Sequence, residues 1–162
     1  MHFLRFVAGP IAAGLLMLAP ATMPVFAQAA PAEYTADDVA FQTALTGATT
    51  DVPALFLEQD AMDARIAAVS ANTDFATLGA DLGTLKGRWQ AVTNNVVALQ
   101  PPPRYTSANL NMAIATQTYA VAYDALATGL AAADATGIGA AILAISTAKT
   151  MLIAAGTEFS AA

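Results

Sequence analysis

The feature that most constrains the fold is a stripe of apolar residues at alternating spacings of three and four. Its members are Phe75, Leu78, Leu82, Leu85, Trp89, Val92, Val96 and Leu99. Such spacing places every member on one face of an α-helix that packs along its length against other helices. Asn72-Thr73-Asp74 can cap its start, and Pro101-Pro102-Pro103 ends it because proline cannot continue a helix. The sequence therefore predicts a long helix over this stripe.

Two shorter helices are predicted before this stripe. Thr35, followed by two aspartates, is a candidate N-cap, so a helix should begin near Ala36. Thr49-Thr50-Asp51 interrupts that helix, and Pro53 fits the first turn of the next one. The second helix should run to about Ala71, and its apolar face carries Leu55, Met62, Ile66 and Val69.

Two further helices are predicted after Ser107. The first carries a stripe made of Met112, Ala115, Tyr119, Ala122, Leu126 and Leu130. We expect Leu110, Ile114 and Val121 to widen this stripe into a broad apolar face. A turn at Ala135-Thr136-Gly137 leads to the last helix, whose apolar residues are Ile138, Ile142, Ile145, Leu152 and Phe159. Lys149 and a stripe of hydroxyl residues favour a bundle helix over a membrane span.

Short connections force successive helices to run antiparallel. We therefore predict an all-α fold, an antiparallel up-down four-helix bundle with a short extra N-terminal helix, over residues 35–162. Counting outward from each turn predicts that Leu55 or Phe56, Trp89, Tyr119 and Met151 meet in one core layer. Each comes from a different helix, and a methionine sulfur would fill an irregular gap beside aromatic edges.

Residues 1–27 have the pattern of a secretory signal peptide. The positive charge of Arg5 precedes an apolar run over residues 6–19. Val25-Phe26-Ala27 fits a signal-peptidase cleavage site, and Ala27-Gln28-Ala29 offers a second one. A retained membrane anchor is the alternative, although prolines interrupt the segment and it is barely long enough to span. With residues 28–34 as a linker, we expect an exported protein, periplasmic or extracellular, without a stable membrane span once the leader is removed.

The mature chain carries few groups that support catalysis or metal binding. The whole chain has no cysteine, and its single histidine, His2, lies in the predicted leader. These facts argue against disulfides, thiolate or imidazole metal sites and a histidine-activated nucleophile. One of the six basic residues, Arg5, lies in the leader, so five face twelve acidic residues and the mature charge is −7. This charge disfavours binding to nucleic acid. We therefore expect that the protein is not an enzyme and that it binds no metal ion and no cofactor.

Several polar side chains are expected to have structural roles only. Asp60 and Asp63 should share a solvated face of their helix, opposite Leu55 and Met62. Counting from the turn places Asp124 and Lys149 near one another on the last two helices, where they can form a partly buried pair, and such a pair would be structural and not a catalytic acid and base.

A strip of small residues is the main surface feature that the sequence predicts. Gly79, Gly83, Gly87 and Ala91 recur every four residues along the strongest helix. Each glycine costs about 0.8–1 kcal/mol relative to alanine in a helix interior. The strip is a candidate contact face for a partner or a second copy, and close packing inside the bundle is the competing interpretation.

The whole arrangement resembles the periplasmic b-type cytochrome four-helix bundles. The shared features are a signal peptide, a bundle helix that ends in prolines and a small turn between the last two helices. In that family a methionine on the first helix and a histidine on the last ligate haem, and Met62 is the nearest counterpart of the methionine. The last helix has no histidine, and the Cys-x-x-Cys-His motif of the related c-type bundles is absent. The resemblance therefore implies a similar architecture without the haem ligands.

These observations favour a non-catalytic exported bundle that acts through protein contacts, as a scaffold or an accessory subunit. One alternative is a carrier that holds an apolar ligand or pigment between the helices near Trp89 and Tyr119. Another is a subunit of a membrane complex with the leader retained as its anchor.

Overall fold

The structure is a computed structural model that describes residues 34–70 and 73–162. The predicted signal peptide and all of the predicted linker except Tyr34 lie outside these residues. Across the described ranges the chain is helical with no β-strand, which confirms the predicted all-α bundle.

Five α-helices and one short 3₁₀ turn make up the described chain. They are α1 (Ala36–Ala48), α2 (Val52–Ala67), α3 (Phe75–Val97), the 3₁₀ turn Pro103–Tyr105, α4 (Thr106–Ala132) and α5 (Ala135–Ala161). Thr35 and Asp38 form a reciprocal capping box at the start of α1. The side chain of Asp74 accepts hydrogen bonds from the backbone amides of Ala76 and Thr77 in the first turn of α3, and that of Asp134 from Thr136 in the first turn of α5.

Helices α1 and α2 together form one leg of the bundle, antiparallel to α3. Phe41 of α1 stacks on Tyr105, just beyond the end of α3, with a ring-centroid distance of 5.1 Å. Farther along, Phe56 contacts Trp89 in the middle of α3, and Arg65 pairs with Asp81 near its start at 2.6 Å. The short extra helix is therefore the first half of this leg, and the break over residues 49–51 divides the leg in two.

The closest backbone approaches are those of α4 with α3 and with α5. Small side chains allow them, because the buried positions of α4 and α5 include Ala115, Ala122, Ala141 and Ala148. At the turn between α4 and α5, a Cβ added at Gly129 would lie 3.0 Å from the backbone nitrogen of Ile138. A side chain at this position would push the start of α5 away by a few tenths of an ångström.

The apolar stripe of α3 forms the centre of the core, as predicted. Leu78, Leu82, Leu85, Trp89, Val92 and Val96 are each at most 3% exposed. At the two ends of the stripe, Phe75 is 43% exposed and Leu99 lies beyond the end of α3, half-buried. The six buried members place α3 between α4 and the leg formed by α1 and α2.

Helix α4 departs from its prediction on one side. Its stripe from Met112 to Leu126 is buried, but Leu110, Ile114 and Val121 are 58%, 43% and 57% exposed. The expectation that these three residues widen the buried face is wrong. They lie on the side of α4 that the other helices leave open, so they add apolar surface and not core.

Helix α5 is long and apolar enough to cross a membrane by length and composition alone. Its mean hydropathy over the most apolar window is 1.8, and 33% of that window is buried. Core helices of soluble proteins satisfy the same criterion. Its buried residues recur at spacings of three and four from Ile138 to Phe159 and pack against the bundle.

Candidate functional site

An aromatic cluster occupies the middle of the bundle. The rings of Trp89 and Tyr119 stack at a centroid distance of 4.0 Å with an interplanar angle of 9°. Phe56 presents its edge to both rings, at 5.9 and 6.2 Å, and Tyr123 extends the stack beyond Tyr119 at 6.3 Å. The structure thus brings together three members of the predicted core layer, from α2, α3 and α4.

Met151, the fourth member of the predicted layer, is half-buried on α5 and packs against the hydrophobic core. Lys149 of α5 reaches the aromatic cluster, and its ammonium nitrogen lies 5.6 Å from the centre of the Phe56 ring.

Buried polar atoms surround these rings. Gln59 Oε1, Trp89 Nε1 and the hydroxyl oxygens of Tyr119 and Tyr123 are inaccessible to solvent and have no hydrogen-bond partner within residues 34–70 and 73–162. Gln59 is 3% exposed, and the three aromatic residues are fully buried. These four atoms come from three neighbouring helices, α2, α3 and α4.

The charged groups beside these atoms are Asp60, Asp63 and Lys149. The pKa of Asp63 is raised to about 6, mainly by burial and also by the negative charge of Asp60, against the opposing effects of the Lys149 charge and a hydrogen bond from Gln59. Burial also raises the pKa values of Tyr119 and Tyr123, so both hydroxyls stay protonated at neutral pH. The site therefore combines neutral hydroxyls with a carboxyl group that titrates near physiological pH.

Two expectations about charged residues are wrong. Asp60 is exposed, as expected, but Asp63 is half-buried near Tyr123 of α4 and Lys149 of α5, because it follows Met62 at the edge of the buried stripe of α2. Asp124 pairs with Lys86 of α3 at 2.7 Å, whereas Lys149 lies over Phe56 of α2. Asp124 and Lys149 face different neighbours because α4 lies between the two sides of the bundle.

Gln59 is the residue of this site that the sequence interpretation missed. It lies four residues after Leu55 and three before Met62, and all three side chains are buried on one face of α2. A polar residue inside an apolar stripe is a readable signal, because polar side chains are rarely buried without a role. The sequence therefore contained the evidence for Gln59.

The strip of small residues on α3 faces open space. A Cβ added at Gly79, Gly83 or Gly87 would meet no other atom within 4 Å, and Gly83, Gly87 and Ala91 are exposed. Close packing inside the bundle therefore does not explain these glycines.

An apolar groove runs along the outward side of α4. It has a volume of about 900 Å³ and lies between the end of α3, α4 and the first half of α5. The exposed side chains of Val97, Ile114 and Val121 line it, together with alanines of α4 and α5. The groove is thus a concave apolar surface on the side of α4 opposite the buried aromatic rings.

No group of three or more His, Cys, Asp or Glu residues that could hold a metal ion occurs in the part of the chain described here. Four basic side chains form ion pairs with Asp or Glu: Arg65, Lys86, Arg88 and Arg104. Lys149 is the basic residue that lies at the aromatic cluster instead.

No protein-family model, curated protein or solved structure matches this chain.

Proposed function

We propose that this protein is an exported, non-catalytic helical bundle that acts through contacts with another protein, as a scaffold or an accessory subunit. The observation that carries this proposal is the open side of α4. Val97, Ile114 and Val121 are 62%, 43% and 57% exposed around one groove. Single exposed apolar residues are ordinary, whereas several around one concave surface are typical of interaction sites.

The chemistry of the groove points to an apolar partner segment. Its lining includes two carboxylates, Asp124 and Asp134, and both are engaged within the chain. Asp124 pairs with Lys86, and Asp134 caps the start of α5. The alanines along the groove floor would allow a helix or an extended apolar segment to approach the backbone closely, as small side chains do at tight helix contacts.

The direct test replaces the groove residues without disturbing the core. In the double variant Ile114→Ser and Val121→Ser we expect near-normal thermal stability, because both side chains are already exposed, and loss of association. Leu57→Ser is the matched control, because Leu57 is 72% exposed on α2 and is not among the groove-lining residues.

Association is measured in two ways. Sedimentation of the purified mature protein reports self-association, and quantitative cross-linking in the native cell envelope reports other partners. Unchanged association in the groove variant would overturn the groove as the contact surface. A chain that stays monomeric and forms no cross-link at any concentration would overturn the proposed function.

A second test addresses the strip on α3. Replacing Gly79, Gly83 and Gly87 with alanine meets no steric obstacle, so the helix should gain roughly 2.5 kcal/mol from three propensity increments. If the strip is part of the contact face, the added methyl groups also weaken association. A variant that is only more stable, with association unchanged, restricts the interface to the groove.

A further inference from the structure

The outer side of α4 changes in shape along the helix. Seven exposed residues recur there at spacings of three and four, which places them on one face. They are Leu110, Ile114, Gln117, Val121, Ala125, Thr128 and Ala132. All of them except Leu110 line the groove. The bulky leucine and isoleucine belong to the N-terminal half of α4, and the two alanines belong to the C-terminal half. One half of this face therefore protrudes, while the other half is hollow.

A face of this shape fits a copy of itself that runs in the opposite direction. When a two-fold axis passes beside Gln117, Leu110 of each copy faces Ala125 of the other. In the same arrangement, Ile114 of each copy faces Val121 of the other. Each contact occurs twice, because a two-fold interface uses the same patch on both copies. A large side chain thus meets a small one, as in well-packed helix layers.

The matching of polar and apolar residues indicates where the axis lies. With the axis beside Gln117, this amide side chain faces Thr118 of the other copy, and the apolar residues face one another. An axis at Val121 would instead place Ile114 opposite Thr128 and lose that apolar contact. An axis beside Gln117 also lies close to the middle of α4, so that nearly the whole helix takes part.

The charge of this side favours a second copy over a charged partner. Two copies bring identical charges together, and like charges that face each other across an interface weaken it. Between Tyr105 and Ala148 the only charged residues are Asp124 and Asp134. Both are engaged within the chain, since Asp124 pairs with Lys86 and Asp134 caps α5. In a chain with net charge −6, this is a surface on which two copies can meet with little repulsion.

The size of this side is sufficient for a stable dimer. Helix α4 has 27 residues, and the rise per residue of an α-helix makes it about 40 Å long. The end of α3 and the first half of α5 flank it, and the usual spacing of packed helices makes this side about 20 Å wide. A contact of these dimensions covers about 800 Å² on each copy, which is the size of a standard interface.

From these observations we propose that the groove is occupied by a second copy of this chain, with the two α4 helices packed antiparallel about a two-fold axis beside Gln117. This inference rests on the proposed protein-contact function and deepens it, because it names the partner. The pairing joins two folded chains, so at concentrations at which the chain is monomeric the outer residues of α4 do not contribute to the free energy of unfolding.

Introduced cysteines test the pairing directly, because the chain has no cysteine of its own. In Gln117→Cys the two thiols lie next to the axis, so oxidation of the purified mature protein with copper(II) phenanthroline should join the two copies by a disulfide. Non-reducing electrophoresis measures the covalent dimer. Leu110→Cys alone should form none, because the two positions are about 22 Å apart along the helices and a disulfide requires Cα atoms within about 7 Å.

A mixture of two variants tests the direction of the helices. Leu110→Cys and Ala125→Cys should each remain monomeric after oxidation when they are alone, and should form a mixed covalent dimer when they are combined. Leu57→Cys is the matched control for random collisions, because Leu57 is 72% exposed on α2 and is not among the groove-lining residues. Val121→Cys tests the register, since its two copies would be about 10 Å apart and should not be joined.

An exchange of the large and the small side chain provides an independent readout. Leu110→Ala removes apolar contact, and Ala125→Leu crowds Leu110 of the other copy, so each change alone should raise the dissociation constant of the dimer at least about tenfold. The double variant restores one large and one small side chain at each contact and should return to within about threefold of the native value. Sedimentation measures the dissociation constants. Both positions are exposed, and circular dichroism verifies that each variant is folded.

Three results would overturn the second copy as the occupant of the groove. They are a Gln117→Cys variant that forms no more covalent dimer than Leu57→Cys, a disulfide in Val121→Cys, and a double variant that associates no better than Ala125→Leu alone. If the purified chain stays monomeric while the groove cross-links to a different protein in the native cell envelope, this inference fails and the proposed contact function stands. If neither contact forms, both fail.

Discussion

Leu110 and Leu126 belong to the same helix, α4, yet Leu126 is fully buried and Leu110 is 58% exposed. The two leucines mark two faces with different environments. The inner face carries Tyr119 and Tyr123, and the Tyr119 ring makes an edge-to-face contact with Phe56 of α2 and stacks on Trp89 of α3. The outer face carries Ile114 and Val121 and forms the open groove.

The comparison shows that apolar character does not by itself indicate which face of a helix is covered. A surface helix normally has one apolar stripe opposite a polar face, and a helix that is apolar all round is normally buried. Helix α4 is apolar on both sides and is covered on one. Packing within the bundle therefore does not explain why the residues on the uncovered side of α4 are apolar.

The largest expected effect is a difference between these two leucines. Leu126→Ala should lower the free energy of unfolding by about 2–5 kcal/mol, because it leaves a cavity in the core. Leu110→Ala should change it by less than about 0.5 kcal/mol, as for other exposed positions. Urea unfolding followed by circular dichroism measures both. Equal losses would mean that the outer face is covered in solution.

The second prediction concerns how the ionisation of Asp63, which lies near Tyr123 on the inner face of α4, changes the free energy of unfolding. The pKa of Asp63 is raised from 3.8 to about 6 by burial and by Asp60, so the unfolded chain loses this proton more readily than the folded one. The free energy of unfolding should therefore fall as the pH rises between these two values. Thermal unfolding of the native chain and of Asp63→Asn measures this slope, which the variant should lack.

Asp74 provides a control of opposite sign for this pH effect. Hydrogen bonds from the Thr77 hydroxyl and from the amides of Thr77 and Ala76 lower the pKa of its carboxyl group. Its contribution to stability should therefore be present above its ordinary pKa and disappear as the pH falls through the lowered value. If Asp63 and Asp74 changed the free energy of unfolding with pH in the same direction, the opposite pKa shifts assigned to them would be contradicted.

The smallest effect tests the ion pair beside the groove. A double-mutant cycle on Lys86 and Asp124 should give a coupling energy of about 0.2–1 kcal/mol, reduced by added salt, because both side chains are largely exposed. A cycle on Asp124 and Lys149 should give none. A measurable coupling in the second cycle would mean that Lys149 reaches the outer side of the bundle.

The helices themselves followed closely from local patterns. The regular spacing from Leu78 to Val96 predicted the buried face of α3, and Thr35 and Asp74 were predicted in the regions where they cap their helices. These features are readable because helix periodicity and capping depend on neighbours within a few residues along the chain.

The candidate site was predicted less completely from the sequence. Counting from the turns placed Phe56, Trp89 and Tyr119 at one height, and the structure brings their rings into contact. The counting did not predict that Gln59 is buried with these rings, or that Lys149 points toward α2 and not toward Asp124. The rotation of each helix about its own axis decides these contacts, and small shifts in rotation exchange one neighbour for another.

Short-range spacing along the chain was enough to predict antiparallel helices, where they begin and break, and which stripe of α3 is buried. The packing of separate helices decided that α1 and α2 share one leg, that one apolar face of α4 stays open, and that polar groups of α2, α4 and α5 converge in the interior. These outcomes depend on which helices pack together and in which rotation. The apolar pattern of a helix does not fix this, because the hydrophobic effect has no directional preference.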